Sequence, residues 1–335
     1  MANIGILGGG TWAMALGLLL HQNGHSVTMW SKLDSEIEML KSGEHKMLPG
    51  IKIPKEIGLT TDIEEIAKDR DIIVMAVASR FTRDTAMILA PHVRKGQIIV
   101  NVSKGIEDET MMTQSEIVEQ VIPQADVAVL AGPSHAEEVA RSLPTTVVAG
   151  AKTKKTAEYI QTVFMSPVFR VYTSPDILGI ELGSSLKNVV ALAAGIADGL
   201  GYGDNAKAAL ITRGITEISR LGTAMGGKAE TFSGLTGIGD LIVTCASMHS
   251  RNRRAGILIG QGKTYQEAMD EVQQVVEGVY SAKAAMKLAA KYGVSLPIIE
   301  QVNKVLFEGK SAADGVKELM LRDKKCEVSV VGWDD

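Results

Sequence analysis

The run Gly8-Gly9-Gly10-Thr11-Trp12-Ala13 constrains this chain more than any other stretch. It follows a short apolar run, Asn3–Leu7, and opens a helical pattern over Trp12–Asn23. Small residues at its first, third and sixth positions permit a tight turn, close backbone approach to a pyrophosphate and close helix–strand packing. The free N–H groups and positive dipole end of the following helix suit a phosphate. Alone, such a run is weak evidence. Between a predicted strand and a predicted helix, at the head of an alternating domain, it points to a dinucleotide site.

The alternation continues well past the glycines. Strands are predicted at Ser26–Trp30, Asp71–Val77, Ile98–Val102, Val127–Ala131, Thr145–Ala149 and Val168–Tyr172. Helical patterns lie between them at Ser35–Lys41, Thr82–Leu89, Met112–Val121 and Thr153–Phe164. Continuous apolar strands separated by helices imply a parallel sheet covered on both faces, a doubly wound Rossmann-type α/β domain over residues 1–174. After about Pro175 the alternation stops. Asp176–Asp198, Asn205–Met225, Tyr265–Val272, Tyr280–Tyr292, Ile298–Phe307 and Ala312–Arg322 read as helices, so residues 175–335 form an all-α domain ending in a loose tail, Val328–Asp335.

Composition narrows the function classes. Apolar residues make up 45% of the 335, which excludes a disordered chain. A net charge of −4 argues against a nucleic-acid binder. Only two cysteines, Cys245 and Cys326, are present, and the six histidines show no ligand spacing, so no metal site is expected. The N-terminus lacks a basic region, its glycines would break a signal-peptide helix, and no uncharged apolar run of about 20 residues occurs. A cytoplasmic enzyme without a membrane span is expected. Glycine is abundant: 13 of the 34 fall by Gly150, and six crowd between Gly222 and Gly239. Their spacing suggests backbone approach to a ligand.

Several further groups could carry chemistry. The second strand ends in Met29-Trp30-Ser31-Lys32, where a site for an unphosphorylated ribose usually has an acid; Lys32 could meet a 2′-phosphate, which favours NADP with NAD accepted. Lys104, in Val102-Ser103-Lys104-Gly105, could bind an anion, while Gly132 and Ser134, in Ala131-Gly132-Pro133-Ser134, could offer hydrogen bonds. Either stretch also fits a plain βα turn. Lys187 lies among Leu186, Val189 and Val190, where desolvation would lower its pKa and suit it to proton transfer, although most such lysines reach for water. Asp240 ends the glycine-dense run from Gly234. Ser250-Arg251-Asn252 combines a hydroxyl, a guanidinium and an amide suited to a small phosphate.

Taken together, the glycine turn, VSKG, AGPSHA, SSLKNVVALAAGI, GLTGIGDLIVTC and SRNRR resemble bacterial NAD(P)-dependent glycerol-3-phosphate dehydrogenases, in order and over nearly the whole chain. The resemblance implies interconversion of sn-glycerol 3-phosphate and dihydroxyacetone phosphate with NADP or NAD, feeding phospholipid synthesis, by a homodimer. It implies Lys187 as the proton-transfer residue. Substrate contacts fall on Lys104, Gly132, Ser134, Asp240, Ser250, Arg251 and Asn252. Cofactor contacts fall on Gly8, Gly10, Thr11, Trp12, Lys32, Lys104, Ala136, Arg251, Val275 and Glu277. Four positions depart from the family pattern: Thr11 for serine, Ala13 for glycine, Lys32 for arginine, and His135 for an aromatic residue beside Ser134. The 6-phosphogluconate and β-hydroxyacid dehydrogenases share this architecture and a helical lysine, and form the alternative reading.

Overall fold

The computed structural model describes residues 1–324, 326 and 327; the expected tail Val328–Asp335 lies outside them. Among the described residues, eight strands form one sheet: β1 (Asn3–Leu7), β2 (Ser26–Trp30), β3 (Gly58–Thr60), β4 (Ile72–Met75), β5 (Ile98–Asn101), β6 (Asp126–Ala131), β7 (Thr145–Ala151) and β8 (Phe169–Ser174). Their spatial order is β3-β2-β1-β4-β5-β6-β7-β8. Alternate residues of each central strand enter opposite cores. Ile4, Ile6, Ile72 and Val74 pack on one side, while Leu7, Ile73, Met75 and Ile99 pack on the other. That two-sided burial is why these strands read as unbroken apolar runs. The first helix, α1, spans Thr11–Gln22.

One expectation is corrected. The sheet is not wholly parallel, because β7 runs antiparallel to β6 and β8 runs parallel to β7. The connection after β6 carries only the short helix Ala136–Val139 and no helix long enough to cover the sheet. It stays at the carboxyl edge, so the chain re-enters the sheet from that edge, running backwards. The edge strand β3 was not predicted; its three residues are only half-buried.

The helical half is organised by one element, the core helix Ile177–Gly199, buried over nearly its whole length. It is long and apolar enough to span a membrane by composition, with mean hydropathy 1.4, but 89% of that stretch is buried inside the protein. Its N-terminus is capped by Asp176, whose carboxylate accepts the Gly179 N–H at 3.0 Å. Helices Asp204–Ala224, Asp240–Ala246, Arg251–Gly260, Glu277–Tyr292 and Pro297–Phe307 pack around it. Two of these, Asp240–Ala246 and Arg251–Gly260, were not predicted. Their glycines and clustered charges mask the helical period.

Glu181 ties this helix to the first domain. It accepts the Asn101 side-chain N–H at 2.8 Å and the Ser115 backbone N–H at 3.0 Å, along with the Ser115 hydroxyl. Burial pushes its carboxyl up to about 7, against those donors.

The glycines of the helical half serve packing more than ligand approach, which corrects the sequence expectation. A Cβ on Gly195 or Gly199 would overlap backbone carbonyls of the Arg251–Gly260 helix, and one on Gly256 or Gly260 would overlap carbonyls of the core helix. These two four-residue glycine spacings let the helices cross backbone to backbone. Gly222 and Gly237 likewise face Phe232. Gly256→Val is therefore expected to destabilise the protein by at least the roughly 1–3 kcal/mol typical of overpacking, with the loss read from the urea midpoint. An unchanged midpoint would contradict this packing.

Candidate active site

A cleft opens at the carboxyl edge of the sheet, where open α/β folds place ligands. Gly10 and Thr11 after β1, Val77 after β4, and Ser103 and Lys104 after β5 form one wall. Lys187, Asp240, Thr244 and Arg251 of the helical domain form the other.

The centre of the cleft is a buried charge cluster. Asp240 begins the helix Asp240–Ala246, directly after the π-helical turn Leu235–Gly239. Its carboxylate is shared. Oδ1 accepts from Lys187 Nζ, and Oδ2 accepts from Lys104 Nζ at 2.8 Å. Lys187 Nζ also donates to Thr244 Oγ1 at 2.7 Å, and Lys104 Nζ to the Gly132 carbonyl at 3.0 Å. Side-chain exposure is 1% for Asp240, 6% for Lys187 and 19% for Lys104, so the cluster opens to solvent through Lys104.

Burial is the main cause of the Lys187 shift. Desolvation and the nearby Lys104 ammonium outweigh the stabilising Asp240 carboxylate, bringing its pKa down from 10.5 to about 7. Burial acts the other way on Asp240, yet Lys104 and Lys187 together hold its carboxyl below the usual range. Thr244 was missed by sequence reading. It follows Asp240 by one helical turn, and that spacing is the signal that could have found it.

Other predicted residues gather around this centre. Ser134 donates its hydroxyl to the Gly132 carbonyl at 2.9 Å, and Ala136 lines the cleft beyond it. Ser250 caps the Arg251–Gly260 helix by accepting the Arg253 N–H at 3.2 Å. Arg251 stands in the first turn and faces the cleft, while Arg253 turns away to Asp198 at 2.8 Å. Asn252 lines the cleft, but its amide is committed: it donates to Asn188 Oδ1 at 2.9 Å and accepts the Gly278 N–H at 2.9 Å. His135, the unusual residue beside Ser134, stacks obliquely on His249 with ring centres 5.8 Å apart. Burial, reinforced by Lys187 and Lys104, lowers its pKa.

The glycine turn fits a dinucleotide. Gly8 has φ +125°, and a Cβ there would lie 2.8 Å from the Ala76 carbonyl oxygen, so only glycine is accommodated. A Cβ on Gly10 would meet nothing within 4 Å, leaving an open cradle. No side chain caps α1, so its first N–H groups are free for a phosphate. Trp12 Nε1 is buried without a partner among the described residues, and Glu277 accepts the Ser79 N–H at 3.1 Å across the cleft. Burial raises the Glu277 carboxyl above its usual value. Lys32 is exposed, and Lys32, Gly8, Gly132 and Val275 lie off the cleft lining.

Two family models match the chain: NAD-dependent glycerol-3-phosphate dehydrogenase N-terminus over residues 3–157, and NAD-dependent glycerol-3-phosphate dehydrogenase C-terminus over residues 176–317. The chain belongs to this family. Glycerol-3-phosphate dehydrogenase [NAD(P)+] of Agathobacter rectalis is 66% identical over 335 residues, covering 99% of this chain and 100% of that protein. The enzyme of the same name from Fusobacterium nucleatum subsp. nucleatum is 57% identical, covering 98% and 99%. The crystal structure of glycerol-3-phosphate dehydrogenase from Coxiella burnetii superposes with a TM-score of 0.92 at 35% identity, covering 96% of this chain and 99% of that one.

Within this family architecture the shared carboxylate is the weak point of the charge cluster. Asp240→Ala would strip the buried Lys187 and the partly exposed Lys104 of their shared anion and drive Lys187 to its neutral form. It is expected to cost up to about 3–5 kcal/mol, the range for breaking a buried pair. Lys187→Met leaves Asp240 still paired with Lys104 and is expected to cost less. Equal losses in urea denaturation at pH 7 would contradict the shared-carboxylate geometry.

Proposed function

We propose that the chain interconverts sn-glycerol 3-phosphate and dihydroxyacetone phosphate with NAD(P), supplying glycerol 3-phosphate for phospholipid synthesis. The observation that carries this reading is the Lys187–Asp240–Lys104 cluster, set in the same cleft as the glycine turn and Arg251. A bound nicotinamide supplies hydride to the ketone carbon, or takes it from the alcohol. This chain supplies position, charge and the proton.

The roles rest on the family resemblance, and the cleft geometry supports several of them. Arg251, at a helix N-terminus, suits the substrate phosphate by bidentate contact. Holding the phosphate there orients the ketone toward Lys187. Lys187 gives a proton to the oxygen as it becomes an alkoxide, and takes it back in the reverse direction. A lysine with a pKa of about 7 can do both near neutrality. Asp240 holds both ammonium groups in place. Lys104, Ser134 and Ser250 line the substrate side of the cleft, and the resemblance adds Gly132 and Asn252, which here position Lys104 and the Arg251–Gly260 helix. Gly10, Thr11 and Trp12 line the cleft on the pyrophosphate side, with Gly8 shaping the turn behind them. The resemblance adds Lys32, Ala136, Val275 and Glu277 as further cofactor contacts, of which Ala136 and Glu277 line the cleft.

The Arg251 position is what separates this reading from a β-hydroxyacid or 6-phosphogluconate dehydrogenase, and the family match does not favour those. We further infer a homodimer in the cytoplasm, supported by family resemblance and by a chain whose described cysteines are both free thiols.

In purified Lys187→Ala, kcat for dihydroxyacetone phosphate reduction is expected to fall about 10²–10⁴-fold, the usual worth of a positioned acid, with NADH binding retained by fluorescence titration. Normal turnover by that variant would remove Lys187 from the proton step. Turnover of a 3-hydroxyacid, with none of dihydroxyacetone phosphate, would overturn the substrate assignment.

A further inference from the structure

The end of β2 carries a carboxylate that sequence spacing hides. Dinucleotide folds that take an unphosphorylated adenosine ribose place an acid there, where it accepts the 2′-hydroxyl. In this chain the residue following Trp30 is Ser31, which has no charge to offer. Glu36 reaches back from the first turn of the helix Asp34–Lys41, and its Oε2 accepts the Ser31 hydroxyl. The same oxygen would lie 2.7 Å from a Cβ built on Gly9. The carboxylate therefore sits between the end of β2 and the middle glycine of the turn. The Leu33 N–H donates to Ser31 Oγ at 3.1 Å, which directs the hydroxyl proton toward Glu36.

The neighbouring bases do not cancel this charge. His45 is buried against the turn, with Nε2 3.1 Å from the Gly9 carbonyl, and its Nδ1 accepts the Met47 N–H at 3.1 Å. Those partners assign the neutral tautomer with the proton on Nε2, since a proton on Nδ1 would confront the Met47 N–H. Burial lowers the ring's pKa further, with the Gly9 carbonyl and the Glu36 carboxylate opposing. His45 thus fixes the turn and offers no cation. Lys32 is exposed, and among the described residues it forms no ion pair with Glu36.

We propose that Glu36 selects the adenosine ribose of the cofactor: it accepts the 2′-hydroxyl of NADH and repels the 2′-phosphate of NADPH, so the chain prefers NADH in spite of Lys32. A like charge facing the phosphate is the repulsive element that specificity requires. The inference rests on the dehydrogenase reading above and deepens it. Glu36 touches no reacting atom; it acts on which cofactor enters.

The test measures equilibrium dissociation constants of NADH and NADPH for the substrate-free enzyme by protein fluorescence, beside kcat/KM for dihydroxyacetone phosphate with each. The wild type is expected to bind NADH at least about tenfold more tightly, and Glu36→Gln to tighten NADPH by about tenfold with little change for NADH. Lys32→Ala is expected to shift that ratio less than Glu36→Gln does. Tighter NADPH binding by the wild type, or a ratio unmoved in Glu36→Gln, overturns the proposal. The two readings fail separately. Turnover with NADPH preferred overturns the role of Glu36 and leaves the reaction standing, whereas the expected binding ratio without any turnover sustains Glu36 and overturns the reaction.

Discussion

One carboxylate joins two ammonium groups at the place where both domains meet, and the rest of the structure is arranged to hold it there. Lys104 arrives from the loop after β5, Lys187 from the middle of the core helix, and Asp240 from a helix that starts on a π-helical turn. Burying two cations with one anion leaves an excess positive charge, and desolvation at low dielectric makes that expensive. The cluster relieves it where solvent cannot reach, by lowering the Lys187 pKa. A site built for stability would not choose this arrangement. A site that must release and recover a proton near neutrality would.

Two features keep the cluster in register. Glu181 stitches the core helix to Asn101 and Ser115 of the first domain, six residues before Lys187 on the same helix. On its other side the core helix meets the Arg251–Gly260 helix through paired glycines, close enough that no side chain intervenes. That contact sets the distance between Lys187 and Arg251, the proposed proton donor and the proposed phosphate site. Attraction for an anionic substrate is thus local: the chain carries −4 overall while its cleft gathers Lys104, Lys187 and Arg251.

Much of this was legible in the sequence, for identifiable reasons. β1 and β2 were bounded correctly because their apolar runs end abruptly at glycine and serine. Lys187, Lys104 and Asp240 each stood out as a charge in an apolar or glycine-bearing setting, and Arg251 as the guanidinium of a short polar run. Their convergence did not, since nothing local says that residues so far apart in the chain share one carboxylate. The glycines of the helical half were misread because close approach to a ligand and close approach to another helix leave the same mark. Glu36 and His45 were missed because both act by reaching back across a turn to Gly9, a contact that fixed sequence spacing does not encode.

The central claim is that Lys187 titrates near neutrality in the free enzyme, and side-chain NMR of isotopically labelled lysine measures this directly. With the resonance assigned by its loss in Lys187→Arg, the account predicts a pKa of about 7. It also predicts a lower value in Asp240→Asn, where the stabilising anion is gone but the burial and Lys104 remain. A Lys187 that titrates near the ordinary 10.5 would contradict the account.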